Sequence, residues 1–232
     1  MAWSLLTVVS IAQTALFFLM PTAVWFFFKP SLLNEKEREN DKYELNRLKN
    51  NEEVFSAVMA RQKQIDTNTT GLGITLGNPN AKNTLIKVCN PYCDPCSKAH
   101  PEVESLTKEN IKVQIIYFAS TFEGDITIHP VKHFLAIAAQ GNDAFTIKVL
   151  SEWYADKNKN IEKFRVKYPA LLETSNERIE AMHNWCNMNA VTFTPTYFFN
   201  GRQLPSYYKL SDIKHFLPKT LPNNNKELAN LN

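Results

Sequence analysis

The sequence predicts an α/β domain behind one apolar N-terminal helix. Three observations carry this: an uncharged apolar run at the N-terminus, two β-rich segments flanking a helix that opens at Cys93, and a long helical stretch before a final hairpin and helix. The bulk figures allow such a layout. A chain of 232 residues, 44% hydrophobic and 21% charged, suits one ordinary domain with extensions, or two small ones. The net charge is +3, with Lys and Arg scattered rather than gathered into a stripe, so no nucleic-acid partner is expected.

No charged residue interrupts the stretch from Trp3 to Phe28. As a helix it is about 39 Å long, enough to cross a ~30 Å hydrocarbon core with some tilt. Pro21 lies inside it, where a membrane helix tolerates proline better than a soluble one. Trp3 and Trp25 sit near the two ends, where indole rings favour the interface. A cleaved signal peptide is the competing reading. Against it, Met1-Ala2-Trp3 has no basic side chain and Phe26-Phe27-Phe28-Lys29-Pro30 is no small-residue cleavage site. Residues 1–30 are therefore assigned to a single transmembrane helix. Lys29, Lys36, Arg38 and Lys42 follow the helix and none precedes it, which on charge alone places the remainder in the cytoplasm. Membrane spans upstream, in a longer parent protein, would remove that conflict.

Residues 31–70 read as a charged, partly helical spacer. Leu48, Phe55, Val58 and Met59 give it one apolar stripe beside a solvated face. The domain is assigned to 71–220 and a polar C-terminal tail to 221–232. Gly77-Asn78-Pro79-Asn80 is a turn. Thr84 to Val88 is a short strand, and a helix is expected from about Cys93 to Lys108, bent at Pro101. Ile111 to Phe118 is a second strand, apolar enough to be buried on both faces. Residues 130–189 look helical throughout, with Thr174 and Glu177 as a capping box for the last helix. Pro195 to Phe199 is a strand, Asn200-Gly201 a hairpin turn, and Leu210 to Leu217 a closing helix. The order is β-α-β-(helices)-β-β-α.

All four cysteines, Cys89, Cys93, Cys96 and Cys186, lie outside the apolar helix. The spacing Cys93-Asp94-Pro95-Cys96 follows a strand and opens a helix. Cys93 then meets unpaired backbone N–H groups and the positive end of the helix dipole, which favour a thiolate. The thiolate is the attacking species in disulfide exchange. Cys96, one turn further in, is placed to resolve a mixed disulfide. Asp94 adds a negative charge beside that sulfur, and Pro95 removes one possible donor to it, so a milder oxidant is expected. Two other readings stay open on spacing alone. One is a structural zinc site using Cys89, Cys93, Cys96 and either Cys186 or His100. The other is an iron–sulfur site, since Cys89, Cys93 and Cys96 have the spacing of radical SAM enzymes, although Pro95 replaces the usual aromatic residue. Cys89 and Cys186 read as buried thiols, with a second disulfide as the alternative. His100 stands four residues after Cys96 on the same helix face, as a packed histidine or a proton relay.

A hundred residues on, Phe193-Thr194-Pro195-Thr196-Tyr197-Phe198-Phe199 is followed by Asn200-Gly201. This segment resembles the cis-proline loop of the thioredoxin superfamily. Further segments sharpen the match: Gly71-Leu72-Gly73-Ile74, Gly77-Asn78-Pro79, Val88-Cys89-Asn90-Pro91-Tyr92-Cys93, Cys96-Ser97-Lys98-Ala99-His100-Pro101 and Leu204-Pro205. Together they resemble the thioredoxin domain at the C-terminus of bacterial vitamin K epoxide reductase fusion proteins, especially those of Bacteroidetes. The likeness covers roughly residues 40 to 217.

The resemblance implies a thioredoxin-like α/β fold with a helical insertion and a protein thiol–disulfide oxidoreductase of the bacterial inner membrane, its domain facing the periplasm. It implies Cys93 as nucleophile, Cys96 as resolving thiol, and Thr194 with Pro195 as the substrate-binding loop. No metal and no cofactor beyond the Cys93–Cys96 disulfide is expected. The implied partners are cysteine-containing client proteins and a vitamin K epoxide reductase-like oxidase, either upstream in the same protein or separate. This chain has one apolar helix instead of the bundle of those fusions, and no cysteine in it. Net oxidation is the expected direction. The rivals are a periplasmic disulfide reductase, a non-enzymatic metal-binding module and a scaffold that only binds clients.

Overall fold

The chain divides into two units, Met1–Asn51 and Glu52–Asn232. The computed structural model describes residues 2–122, 124–172 and 175–218. The polar tail expected at 221–232 lies outside them, as does Thr174.

The first unit is one helix, α1 (Ala2–Lys49). It is long and apolar enough over part of its length to cross a membrane. It runs through Pro21, which cannot donate to the Phe17 carbonyl one turn back. Next to it, the Thr22 hydroxyl donates to the carbonyls of Leu19 and Phe18 at 2.9 and 3.1 Å. The helix does not stop near residue 30 but continues through the first half of the charged spacer.

The second unit begins at α2 (Glu52–Ala60), before the boundary at 71 that the composition suggested. Phe55, Met59 and Ile65 are buried in its core, whereas Leu48, on α1, is exposed. The apolar stripe of the spacer is thus split between two helices. Phe55 stacks on Phe216 at 3.8 Å between ring centroids and meets Tyr208 at 5.1 Å and Phe199 at 5.9 Å. Burying such a ring stabilises the fold by about 2 kcal/mol, and that ties the segment to the domain.

The domain is built on a five-stranded sheet: β1 (Ile74–Gly77), β2 (Thr84–Cys89), β3 (Lys112–Tyr117), β4 (Thr196–Phe199) and β5 (Arg202–Gln203). The spatial order is β1-β3-β2-β4-β5. β2 and β3 are parallel and the other pairs antiparallel. In β2 and β3 every residue after the first is buried, as expected of central strands covered on both faces. The parallel pair is joined by α3 (Asp94–Leu106). The insertion between β3 and β4 consists of α4 (Ile128–Ala138), α5 (Asp143–Ala155), α6 (Ile161–Lys167) and α7 (Glu177–Met188).

Side-chain alternation sends Leu85, Lys87 and Cys89 to one face of β2 and Ile86 and Val88 to the other. The first face meets α3 and α5, through Lys87 to Cys96 and Cys89 to Tyr154. The other lies toward α7, where Trp185 meets Phe198, the cross-strand partner of Ile86, at 6.0 Å.

Several sequence expectations change. β1 is a strand that the sequence pattern does not announce. It is four residues long and bracketed by glycines, which masks its alternation. Gly73 has φ +59°, and a Cβ there would lie 1.9 Å from the Ile115 carbonyl oxygen, so only glycine fits. Residues 130–189 are not helical throughout. Asn142 and Asn160 restart the chain as N-caps, each side chain accepting a backbone N–H at 3.0 Å. Pro169 follows the end of α6 and disfavours its continuation. α7 starts at Glu177, so Glu177 is its first residue rather than the third of a capping box. Its N–H donates to Ser175 Oγ at 3.1 Å. The closing helix is a short α8 (Leu210–Ile213) continued by a 3-10 turn, Lys214–Phe216. The hairpin turn is as expected, with Asn200 and Gly201 both at positive φ.

Candidate active site

The site forms where β2 ends and α3 begins. The chain leaves Cys89 through a tight turn in which Asn90 Oδ1 accepts the Tyr92 N–H at 2.8 Å and the Asn90 carbonyl accepts the Cys93 N–H at 3.2 Å. Trp153, wholly buried on α5, donates its indole N–H to the Pro91 carbonyl at 2.9 Å and packs edge-on to Tyr92 at 5.6 Å. A core indole therefore fixes the loop that carries the first sulfur.

Cys93 is the N-cap of α3, with φ −76° and ψ 119°. Its sulfur does what a serine or aspartate oxygen does at other helix starts, accepting the Cys96 N–H at 3.4 Å. Pro95 lies in the first turn and supplies no donor, which leaves Cys96 N–H as the one that reaches the sulfur. Asp94 and Pro95 are both exposed. Cys93 is half-buried, while Cys96 is fully buried behind it. Burial, with Cys89 nearby, pushes the Cys96 thiol up to about 12.

The loop before β4 closes over this pair. Thr194-Pro195 is a cis peptide bond. The Cys93 thiol donates to the Thr194 carbonyl at 3.3 Å, across 101 residues of sequence. Beside it lies a groove of ≈ 550 Å³ whose lining includes Phe193, Pro195, Tyr197, Leu204 and Tyr207. Phe193 and Tyr207 are more than half exposed on its rim.

The remaining sequence candidates are placed differently. Cys89 is buried with its sulfur 3.2 Å from the Tyr154 hydroxyl, and burial raises its pKa. Cys186 is buried on α7, its thiol pushed up to about 12 by burial and then by Cys89. All four sulfurs are free. His100 is buried on α3, and its ring contacts are with α5. Its ring stacks on Tyr154 at 4.7 Å and its Nε2 meets Ser151 Oγ at 3.2 Å. Burial, then Lys87, lowers its pKa to about 3, so its ring is uncharged at neutral pH. Among the described residues no group of three His, Cys, Asp or Glu is arranged to hold a metal ion.

Sequence reasoning passed over Lys87 and Tyr154. Lys87 was read only as one residue of a strand, yet it is wholly buried and donates to the Cys96 carbonyl at 3.3 Å. The signal was there: a lone charge in an apolar run, on the face it shares with Cys89. Tyr154 packs its ring in the core and also brings its hydroxyl to the Cys89 sulfur.

A dithiol at a helix N-terminus, facing a proline loop across the sheet edge, is what a thioredoxin domain presents. The family model for thioredoxin matches residues 69–219. The chain belongs to the thioredoxin family. No curated protein matches it in sequence. Among solved structures this thioredoxin-family chain is similar to oxidised BdbD from Bacillus subtilis, with TM-score 0.53 and 13% identity over 67% of this chain and 95% of that one. It is also similar to a linker-deletion variant of ScsC from Proteus mirabilis, with TM-score 0.53 and 15% identity over 83% and 90% of the two chains. A periplasmic thioredoxin-like protein from Salmonella enterica serovar Typhimurium gives TM-score 0.51 and 14% identity over 64% and 88%. These likenesses establish the mixed α/β thioredoxin-like fold.

Proposed function

We propose that the chain is a membrane-anchored thiol–disulfide oxidoreductase that exchanges disulfides with extracytoplasmic client proteins through Cys93 and Cys96. One observation carries the reading: of the four sulfurs, only Cys93 is not fully buried, and its contacts are a helix N-terminus and the Thr194 carbonyl.

In the oxidising direction a client thiolate attacks Sγ of Cys93 in the Cys93–Cys96 disulfide. The bond between the two sulfurs breaks and Cys96 leaves with the electron pair, taking up a proton. A second client thiolate then attacks the client sulfur of the mixed disulfide, and Cys93 leaves as a thiolate. The client gains one disulfide and the pair is reduced by two electrons. In the reducing direction the same steps run backwards, with Cys93 attacking and Cys96 resolving. The edge of the Thr194–Pro195 loop offers backbone groups to an extended client strand.

Net oxidation, a vitamin K epoxide reductase-like partner that takes the electrons away, and a periplasm-facing domain are further parts of the proposal. The motif resemblance supports the partner and the direction. The apolar length of α1 supports anchoring, and the description of the Salmonella relative as periplasmic supports the compartment.

The test uses purified full-length protein. Cys96→Ser, mixed with an oxidised client peptide, is expected to trap a covalent adduct at Cys93, and Cys93→Ser none. Trapping that is indifferent to Cys93, or stoichiometric zinc or iron in the protein as isolated, overturns the proposal.

A further inference from the structure

Lys87 is a charged side chain in the middle of the central strand, with none of its surface exposed. It stands between Ile115 on β3 and Tyr197 on β4. Its Nζ donates to the Cys96 carbonyl at 3.3 Å and lies 4.9 Å from the centre of the Tyr154 ring. Both contacts suit an ammonium: a carbonyl accepts its proton, and the face of an aromatic ring attracts a cation. Among the described residues it has no carboxylate partner at ion-pair distance. Burying a charge without a counter-charge is costly, so its retention beneath the dithiol calls for a compensating negative charge. The reaction itself creates one. Reducing the Cys93–Cys96 disulfide replaces a neutral bond by two sulfurs that can ionise, at the start of the helix whose Cys96 carbonyl holds the ammonium.

We propose that Lys87 is a positioning residue of the dithiol: its buried ammonium, fixed by the Cys96 carbonyl and the Tyr154 ring, stabilises the reduced, thiolate-bearing form over the disulfide and makes the pair a stronger oxidant. The inference rests on the proposed function and supplies a physical source for its oxidising direction. The titratable groups around the ammonium come from the elements packed on it. They are Cys89 on its own strand, Tyr197 opposite on β4, Cys96 and His100 on α3, and Tyr154 on α5, while its β3 neighbour is the apolar Ile115. None of these is a carboxylate. Burial and then Lys87 hold His100 neutral, and Lys87 acts on the Cys89 thiol in the direction of ionisation. Both effects are those of a positive charge at this point.

The experiment equilibrates the full-length protein and its Lys87→Met variant with glutathione redox buffers and titrates the thiolate absorbance of the reduced forms. Lys87→Met is expected to lower the equilibrium constant for oxidising glutathione about tenfold, ~30 mV toward a more reducing pair, and to move the thiolate titration to higher pH. Lys87→Gln keeps hydrogen-bonding capacity without charge and is expected to follow Lys87→Met, whereas Lys87→Arg stays near the wild type. A merely structural role lowers the stability of oxidised and reduced protein alike and leaves the constant unmoved. That result, in any charge-free variant that folds, overturns the inference alone. A wild-type pair that does not equilibrate with glutathione at all overturns the proposed function, and the inference with it.

Discussion

The thiol of Cys93 and the carbonyl oxygen of Thr194 lie 3.3 Å apart although 101 residues separate them in sequence. The contact brings the helix that opens at the dithiol against the loop that opens β4. The carbonyl accepts the Cys93 proton while that sulfur is a thiol, and it is freed once the sulfur ionises or is bound to a client.

The freed carbonyl is an acceptor for a client backbone N–H. A cysteine peptide whose amide next to the cysteine is N-methylated is expected to react with the oxidised protein up to about tenfold more slowly than its parent, the worth of one net hydrogen bond. Stopped-flow measurement of mixed-disulfide formation checks this. Equal rates would show that the loop carbonyl takes no part in client binding.

Trp153 links packing to chemistry, because its ring fills the core among Phe134, Phe164 and Tyr92 while its N–H holds the Pro91 carbonyl. Trp153→Phe is expected to cost about 1–3 kcal/mol of unfolding free energy, since it leaves a buried carbonyl without its donor. Urea unfolding of the wild type and the variant measures the loss.

His100 makes the fold acid-sensitive. Its pKa is near 3 in the folded chain, against about 6.5 when unfolded. Between those values the unfolded chain binds a proton that the folded chain refuses, so stability falls as the pH drops through the window, by about 1.4 kcal/mol per unit. His133 is likewise lowered by burial and then by Arg165, and it acts in the same direction. His100→Gln is expected to give a shallower loss of stability between pH 6 and about 4, read from denaturant midpoints across pH. An unchanged slope would place the sensitivity elsewhere.

Gly73→Ala tests the edge strand. The added methyl meets the Ile115 carbonyl at 1.9 Å, and the positive φ strains any side chain there. A loss of more than about 2 kcal/mol is expected, measured by thermal or urea unfolding.

Much of this architecture was legible because its signals are local. Cys93 and Cys96 stand in one helical turn beside a strand, and Asn200-Gly201 has the chemistry its turn demands. Thr194-Pro195 was found through its resemblance to a known loop, a pattern that points across a hundred residues. What stayed hidden depends on contacts made only in three dimensions. β1 is too short to show its period, and Gly73 reveals its constraint only against Ile115. Phe55 and Met59 looked like a spacer's stripe because nothing in their spacing names Phe216 or Tyr208 as partners. His100 was aligned with Cys96 by helical periodicity, yet its ring turns to Ser151 and Tyr154. Lys87 was passed over because a lysine in a strand is usually an edge or surface feature.

The central claim is that Cys93 is the reactive sulfur, and limited alkylation of the folded, reduced protein at pH 7 with peptide mapping by mass spectrometry tests it most directly. Cys96 and Cys186 are buried with thiols near 12, and Cys89 is buried and raised as well. Cys93 is expected to be labelled at least about tenfold faster than each of them, because only an accessible thiolate reacts. Labelling spread evenly over the four thiols, or falling first on any of the other three, would contradict the account.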